Sequence, residues 1–455
     1  MKTKKAPTLS GVPDRKTCGS LVVFPGETWE RKLEAFGKTW FWDTDIPGAL
    51  VVGSVSGGAG ALYRVLFQTA EEGARRWAVL AGSSWATWSA VGVLVLLGAW
   101  ILGEVLRDLP TLQGSGVPQT EAALRGMVSL PKGCGVAGRF VTGPWATVLG
   151  FSLGRHGPSV QIGAWAAQRT QEVLGGKIPL RGAWGSAGAG AAVAASFAAP
   201  LGGIALALEG PGRDRSFRGI VRGTVAPIVG GLLGVLLFGS PTVTLPVGAL
   251  PWSFLPGGLL LGVLVGAEGR LFSRMLLGVS ALSVPLGTRF PRGKMLLPAA
   301  AGLVLGPLVP EVLGGGQPLV ESWGALAPTA TDALMLLAAK AFLSALAFAS
   351  GASGGTFLPF LTLGALSGVL AGGGSATAVL GMGAFLAGGL GKPWSTGILL
   401  LEITGRWSLA PFLALSLVGA TLGARMAGGD PLFEASVRHC RSTPEEREHP
   451  AERSV

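Results

Sequence analysis

Charged side chains are scarce in this 455-residue chain: they make up 13% of its residues, while hydrophobic residues make up 49%. A soluble globular protein usually carries about 25% charged residues. A chain this poor in charge cannot cover itself with a polar surface, so we expect a lipid bilayer to be its solvent. The net charge of +11 could suit nucleic acid, but so apolar a body makes nucleic acid an unexpected partner.

Cysteine, histidine and tyrosine are also rare. The three cysteines, Cys18, Cys134 and Cys440, are odd in number and far apart, so they predict neither a disulfide framework nor a metal site. Two of the three histidines lie near the C-terminus, which leaves His156 alone in the apolar body. Tyr63 is the only tyrosine. We expect no cofactor and no bound metal.

Long uninterrupted hydrophobic runs are missing as well. A membrane-spanning helix needs about 20 apolar residues, yet 75 glycines and 30 prolines interrupt the apolar windows of this chain. Such windows cover residues 89–102, 223–239, 254–267 and 409–429. Broken helices are tolerated in a membrane only where protein or a water-filled cavity surrounds the exposed backbone. The pattern predicts an all-α integral membrane protein built from tilted and broken transmembrane helices.

The two ends of the chain are polar. No cleavable signal is evident, and five of the first 16 residues are Lys or Arg, which favours a cytoplasmic N-terminus. Residues 26–42 could form an amphipathic interfacial helix. We therefore predict a cytoplasmic N-terminal segment over 1–44, a membrane domain over 45–430 and a short polar tail over 431–455.

Two stretches of the membrane domain resemble two later ones. Residues 199–209 and 392–402 each begin near a proline and end in glutamate, so that Pro200 corresponds to Pro393 and Glu209 to Glu402. Aligning residues 154–164 with 355–365 pairs two glycines, a proline and an alanine. Because the two matches occur in the same order along the chain, they indicate an internal duplication, with repeats over about 45–240 and 250–430. Such repeats are often inverted and meet at a binding site near the midplane; the alternative is two similar packing helices that share no site.

Three glycine-rich turns lead into predicted helices: "GSGVP" (114–118), "GRHGP" (154–158) and "GTFLP" (355–359). A helix N-terminus presents unpaired N–H groups and about half a positive charge. Three such ends that converge at membrane depth would bind an anion without a buried cation. Binding would stay moderate, so the ion could leave again.

These turns, in this order, resemble the signatures of the CLC family of chloride channels and proton-coupled anion transporters. The resemblance extends through "APLGGIALALE" (199–209), "TGILLLEITG" (396–405) and "GATLGARMAGGDPLF" (419–433), and covers roughly residues 45–435. It implies two inverted-topology repeats, a homodimer with one pore per subunit, and chloride or similar monovalent anions as the transported ligand. The signature residues it assigns to the filter are Gly114, Gly116, Pro118, Gly154, Arg155, Gly157, Pro158, Gly355 and Pro359.

The resemblance also assigns the anion ligands. Ser115 matches the serine that coordinates the anion and favours chloride, where a proline would suggest nitrate. The backbone N–H groups of Thr356 and Phe357 match two further donors. Phe433 occupies the position of a tyrosine that completes the family's site. Glu121 and Arg139 match buried charged positions and are expected to serve structure.

Two acidic groups of the family's transporters are replaced. His156 occupies the position of the gating glutamate, and Gly210 that of the inner proton-transfer glutamate. A neutral imidazole cannot compete with an anion as a carboxylate does, and histidine titrates near physiological pH. We therefore predict a passive chloride-selective protein that is uncoupled from protons. We expect it in a bacterial inner membrane.

Several alternatives stay open. His156 could carry protons in a chloride antiporter, with water in place of the inner acid, or it could be a hydrogen-bonded core histidine away from any pore. Phe433 could line the pore or simply pack. The protein could be a non-conducting sensor. An intramembrane enzyme is not expected, because the body lacks a nucleophile–base pair and the segment around Lys392 is no phosphate loop. Glu209 and Glu402 are expected to be solvated helix ends.

Overall fold

The computed structural model describes residues 45–440, except for 129, 131–134, 176–183, 211–213, several positions between 240 and 249, 291–292, 322, 324–327 and 373. The described residues form seventeen α-helices and no strand. The helices are α1 (Ile46–Ala81), α2 (Trp85–Asp108), α3 (Val117–Leu124), α4 (Arg139–Val148), α5 (His156–Leu174), α6 (Gly185–Phe197), α7 (Pro200–Glu209), α8 (Phe217–Phe238), α9 (Leu255–Arg289), α10 (Leu296–Leu305), α11 (Gln317–Glu321), α12 (Ala330–Ala349), α13 (Phe357–Gly372), α14 (Ser375–Leu390), α15 (Pro393–Thr404), α16 (Ala410–Ala427) and α17 (Leu432–Cys440).

Six of the described helices are long and apolar enough to cross a membrane: α1, α2, α8, α9, α12 and α16. Their outer faces carry large exposed side chains such as Leu236 and Leu282, each about four-fifths exposed, as expected of a surface that faces lipid. Other helices, such as α7, α10, α13 and α14, are apolar but have only 10 to 16 residues. The prediction of an all-α membrane protein with short, broken helices is confirmed.

Small residues let these helices approach closely. Helix α6 consists almost entirely of glycine, alanine and serine, and almost all of its residues are buried. A Cβ atom on Gly60 of α1 would lie 2.3 Å from the carbonyl oxygen of Ala192 in α6. Glycine at this position therefore permits direct contact between two helix backbones, as is common between helices in membranes.

The two halves of the chain meet through equivalent residues. The N–H of Gly154 donates to the carbonyl of Gly355 (2.7 Å), and the N–H of Gly355 donates to the carbonyl of Gly154 (2.6 Å). The two glycines form an isolated antiparallel bridge. Equivalent residues can pair reciprocally only beside the axis that relates the two repeats, and the antiparallel direction is that of an inverted repeat.

A second reciprocal contact joins α7 and α15. The carboxylate of Glu402 accepts from the N–H groups of Leu201 (3.0 Å) and Gly202 (2.7 Å) at the start of α7. The carboxylate of Glu209 accepts in the same way from Trp394 (3.3 Å) and Ser395 (2.6 Å) at the start of α15. The expectation that both glutamates are solvated helix ends is wrong: each is half-buried and caps the helix of the opposite repeat.

A third pair of equivalent turns escaped the sequence comparison. Gly114 and Gly116 adopt left-handed conformations (φ 68° and 81°), and so do Gly314 and Gly316 (φ 62° and 85°). Each pair precedes a short helix, α3 or α11. The repeat therefore includes the turn at 314–318, whose glycines and proline correspond to those of 114–118.

The domain limits need one correction. Residues 432–440 belong to the predicted polar tail, but they form helix α17, whose Leu432, Phe433 and Val437 are buried. Helix α17 packs against α3 and α9, so this segment is part of the membrane domain. The N-terminal segment 1–44, with the interfacial helix predicted at 26–42, lies outside the described residues.

The reciprocal caps predict a matched loss of stability. Replacing Glu402 or Glu209 by alanine leaves two N–H groups at a helix start without a carboxylate, and the loss of a cap costs about 0.5–2 kcal/mol. We expect both variants to lower the free energy of unfolding in mixed detergent micelles by about 1–2 kcal/mol. Glu72→Ala is the control, because the carboxylate of Glu72 pairs with Arg76 on an exposed surface. Cap variants as stable as this control would contradict the assignment.

Candidate anion site

The three predicted glycine-rich turns converge in space. The N–H of Gly114 donates to the carbonyl of Gly351 (3.0 Å), and the N–H of Gly354 donates back to Gly114 (3.2 Å). A Cβ atom on Gly157 would lie 2.3 Å from the carbonyl oxygen of Ser115 and 3.1 Å from the Cα of Gly355. The turns at 114–118, 154–158 and 355–359 therefore meet at one place, as the anion-site hypothesis requires.

Buried cations bind the two equivalent turns at 114–118 and 314–318. Arg139 is fully buried and donates to the carbonyls of Gly114 (2.9 Å) and Gln113 (3.1 Å) and to the Ser353 hydroxyl (3.2 Å). Lys340, also fully buried, donates to the carbonyls of Val312 (2.8 Å) and Gly314 (2.7 Å). These cations satisfy carbonyl groups of the turns, which supports the structural role expected for Arg139. Lys340 plays the same part in the second repeat.

Two helices begin at this point without a side-chain cap. Helix α5 begins at His156, and the residue before it, Arg155, makes no capping hydrogen bond. Helix α13 begins at Phe357, and the hydroxyl of the preceding Thr356 is buried without a hydrogen-bond partner. The first N–H groups of a helix have no partner within it and carry partial positive charge. The two helix starts are thus polarised for an anion.

His156 lies between aromatic rings. Its ring stacks on that of Phe357, with centroids 4.3 Å apart, and lies 5.8 Å from the ring of Phe197. The side chain is 5% exposed, and its Nδ1 atom has no hydrogen-bond partner. Buried polar atoms are normally hydrogen-bonded, so the alternative of a fully hydrogen-bonded core histidine does not describe this residue.

A narrow cavity adjoins the two helix starts. It is lined by His156, Phe357, Phe433 and Gly210, four of the residues selected from the sequence. Phe433 therefore forms part of the cavity wall rather than only packing. Ser115 and Thr356 are buried, at 6% and 3% exposure, but they are not among the described lining residues. The other lining residues include Val117, Thr120, Glu121, Leu206, Leu390, Lys392, Ser395 and Thr396.

A second cavity of about 970 Å³ continues from the first, because the two share Glu121, Gly210, Lys392 and other lining residues. It extends to Arg125, Glu209 and Glu434. Gly210, the position predicted to lack a proton-transfer acid, lies at the junction. Gly210 therefore lines both the cavity beside His156 and the more charged second cavity.

Arg155 points toward a different cavity. Its side chain is fully buried and donates to the Gln317 side-chain oxygen (3.1 Å), and its guanidinium carbon lies 4.9 Å from the centre of the Phe197 ring. Gln317 lines a third cavity of about 700 Å³, together with Glu71, Arg75 and Glu321. His156 therefore lines the first cavity, whereas the adjacent Arg155 binds a residue that lines the third cavity.

The single tyrosine lies elsewhere. Tyr63 is fully buried and packs against Phe67 and Phe140, with ring centroids 6.1 and 5.9 Å away. Among the described residues that line the first cavity, beside His156, none is a tyrosine. The aromatic residue supplied by α17 is Phe433, which has no hydroxyl.

Sequence reasoning missed Lys392. Its ammonium pairs with the carboxylate of Glu121, and both residues line the first two cavities. An ionisable residue in an apolar membrane segment is a functional candidate by default. That signal was present in "GGLGKPW" (388–394), where a lysine follows an otherwise apolar helix.

Comparison with known proteins reveals clear relatives. A family model described as voltage gated chloride channel matches residues 94–425. The H(+)/Cl(-) exchange transporter ClcA of Cronobacter sakazakii is 30% identical over 379 residues, which cover 77% of this chain and 79% of that protein. The protein of the same name from Citrobacter koseri is 29% identical over 408 residues, which cover 85% of this chain and 86% of that protein.

Solved structures share the fold. The crystal structure of a slow cyanobacterial Cl-/H+ antiporter matches with a TM-score of 0.76 at 22% identity, covering 88% of this chain and 99% of that one. A CLC-type fluoride/proton antiporter matches with a TM-score of 0.68 at 18% identity, covering 90% of this chain and 98% of that one. At these identities the likeness concerns the fold.

Proposed function

This chain belongs to the voltage-gated chloride channel (CLC) family of membrane proteins, and on that premise we propose that it carries chloride passively, without moving protons in exchange. One observation carries the proposal: the cavity that adjoins the two uncapped helix starts has an imidazole, His156, and a glycine, Gly210, at the two positions where the resemblance expects acids. An exchanger needs groups that take up and release protons along such a path.

The proposed anion site uses dipoles rather than a single charge. The backbone N–H groups of Thr356 and Phe357 would donate to the ion, with the Ser115 hydroxyl as a further donor beside Gly157. The Ser115 oxygen currently accepts from the N–H of Val117 at a long 3.3 Å, which leaves its proton available. Phe433 would close the site by contact alone. Partial charges of this kind bind monovalent anions moderately, so the ion can leave again.

His156 would act as an incomplete gate. A carboxylate at this position could occupy the anion's place and repel it, whereas a neutral imidazole stacked on Phe357 does neither. The pathway is therefore less firmly closed against chloride than one with a carboxylate at this position. We propose further that the protein is a homodimer with one pathway per subunit, in a bacterial inner membrane, with its N-terminus in the cytoplasm.

Simultaneous chloride and pH recordings on liposomes that contain the purified protein test this function. We expect chloride to leave the liposomes down its gradient with no proton flux in fixed ratio, because no acid lies at the positions of His156 and Gly210. Liposomes without protein give the background. Proton movement driven uphill by the chloride gradient at a constant ratio would contradict the proposal.

That contrary result would support the second candidate, a chloride–proton exchanger with His156 as the proton carrier. Two observations favour it. The curated relatives are named as exchange transporters, and the second cavity of about 970 Å³ reaches Gly210 and could admit water in place of the inner acid. The same recordings distinguish the two functions, and an absence of any chloride flux would indicate a non-conducting protein.

Substitutions at His156 test its part in the pathway. Two unit charges about 4 Å apart interact by about 4 kcal/mol at an effective dielectric of 20, although poor hydration of an imidazolium between phenyl rings offsets part of this energy. Because proton and anion would stabilise each other, we expect chloride flux to rise as pH falls, but only below the ordinary titration range of histidine, since burial of the ring and the nearby charges of Lys392 and Arg155 oppose its protonation. The rise should be larger at high chloride concentration.

Three variants serve as comparisons. His156→Ala and His156→Gln should conduct but lose most of the pH response, because neither side chain titrates. His156→Glu should slow chloride flux near neutral pH, since its carboxylate competes with the anion. Chloride efflux from liposomes at several pH values measures all of them. Identical pH profiles for wild type and His156→Gln, with His156→Glu as fast as either, would show that His156 only packs.

A further inference from the structure

We propose that Lys392 is an anion-binding residue at the junction of the two connected cavities, and that Glu121 holds its ammonium in place between transported ions. The proposal rests on the proposed function, because it adds a further ligand to the same chloride pathway. It differs from the dipole-only site that the sequence predicts, since it places one full positive charge beside the path.

The backbone sets the position of Lys392. Helix α14 ends at Leu390, and Gly391 turns the chain with a left-handed conformation (φ 77°). Lys392 follows as the residue before Pro393, the first residue of α15. The residue before a proline is restricted to extended conformations, which limits the Lys392 backbone, and the Lys392 side chain lines both cavities.

The surroundings of Lys392 are largely buried. Its side chain is 19% exposed and that of Glu121 is 5% exposed. Both residues line the cavity beside His156 and Phe357 and also the second cavity, so the pair borders both. A cation at a partly desolvated junction interacts with an anion far more strongly than it would in open water.

Glu121 is the acid closest to the two cations at the junction, while of the other acids that line the second cavity, Glu209 caps α15 and Glu434 lies beside Arg438. Glu121 is paired with Lys392, and its second carboxylate oxygen lies 3.7 Å from an Arg125 guanidinium nitrogen. Two cations thus share one carboxylate. The Lys392 ammonium has three N–H donors, of which one bonds to Glu121. The others can donate to a chloride ion while Glu121 keeps the ammonium near the path.

Lys392 also complements His156. His156 and Lys392 both line the first cavity, so the two side chains border a common space. A chloride ion between them would have the ammonium on one side and the starts of α5 and α13 on the other. The Lys392 ammonium can therefore attract the anion even while the imidazole of His156 is neutral.

The test compares chloride binding to purified protein in detergent, by calorimetry, with chloride efflux from liposomes. Lys392→Gln alone would leave the buried Glu121 with only the more distant Arg125, 3.7 Å away, as a partner, which is destabilising, so the loss variant is the double substitution Lys392→Gln/Glu121→Gln. Because the variant loses a hydrogen bond from a charged donor to the anion, we expect chloride binding about tenfold weaker or more. Lys392→Arg should retain most of the binding because it keeps the charge.

Glu121→Gln alone supplies a test in the opposite direction. It removes the carboxylate that competes with chloride for the ammonium, so chloride should bind more tightly. Were the pair merely structural, this substitution would weaken the fold and leave binding unchanged or reduced. Arg125→Gln is the matched control. It removes the other cation that pairs with Glu121, but Arg125 lines only the second cavity of the two, so binding should change little.

The outcomes separate this proposal from the function on which it rests. Wild-type chloride flux with unchanged binding in both Glu121→Gln and the double variant would overturn the role of Lys392 alone. A loss of binding in Arg125→Gln equal to that in the double variant would also overturn it, because the effect would then come from overall charge. A wild-type protein that neither binds nor passes chloride would overturn the proposed function and this proposal together.

Discussion

The structure depends on one requirement: a helix that ends inside a membrane must find partners for its terminal backbone groups. Hydrocarbon supplies none, and an unpartnered N–H or C=O there costs several kcal/mol. Carboxylates meet this need at α7 and α15, where Glu402 and Glu209 cap each other's repeat. Cations meet it at the glycine turns, where Arg139 and Lys340 bind carbonyls. The starts of α5 and α13 are among the described helix starts whose preceding residue makes no capping hydrogen bond, and both lie beside His156.

This difference between capped and uncapped helix starts gives the fold its chemical asymmetry. Where a glutamate occupies a helix start, an anion is excluded; where none does, an anion is the natural partner. The starts of α5 and α13 adjoin the cavity beside His156. The capped starts of α7 and α15 also line this cavity, through Gly202 and Ser395. A mobile anion could thus be held at the starts of α5 and α13, and on this account Lys392 lies beside the path by which the anion would leave.

The sequence predicts the parts of this arrangement that are local. Turns of the form Gly-x-x-x-Pro give the starts of α5 and α13, and the spacing of the turns gives the duplication, because glycine conformations and helix starts are decided within a few residues. The reciprocal caps could not be predicted, since Glu402 and Leu201 are 201 residues apart and only the inverted packing brings them together. The partner of Lys392 is 271 residues away. Helix α17 was missed because its polar residues conceal three buried ones, which pack only against other parts of the fold.

The most direct test of this account is to locate the anion itself. Bromide has a strong anomalous signal and the same charge as chloride, so diffraction from crystals grown in bromide would show where the ion lies. The account predicts a peak at the starts of α5 and α13, within about 3.5 Å of the Phe357 N–H and beside the His156 ring, because those N–H groups lack a capping side chain. A peak only at the starts of α7 and α15, or none in the cavity while bromide is transported, would contradict it.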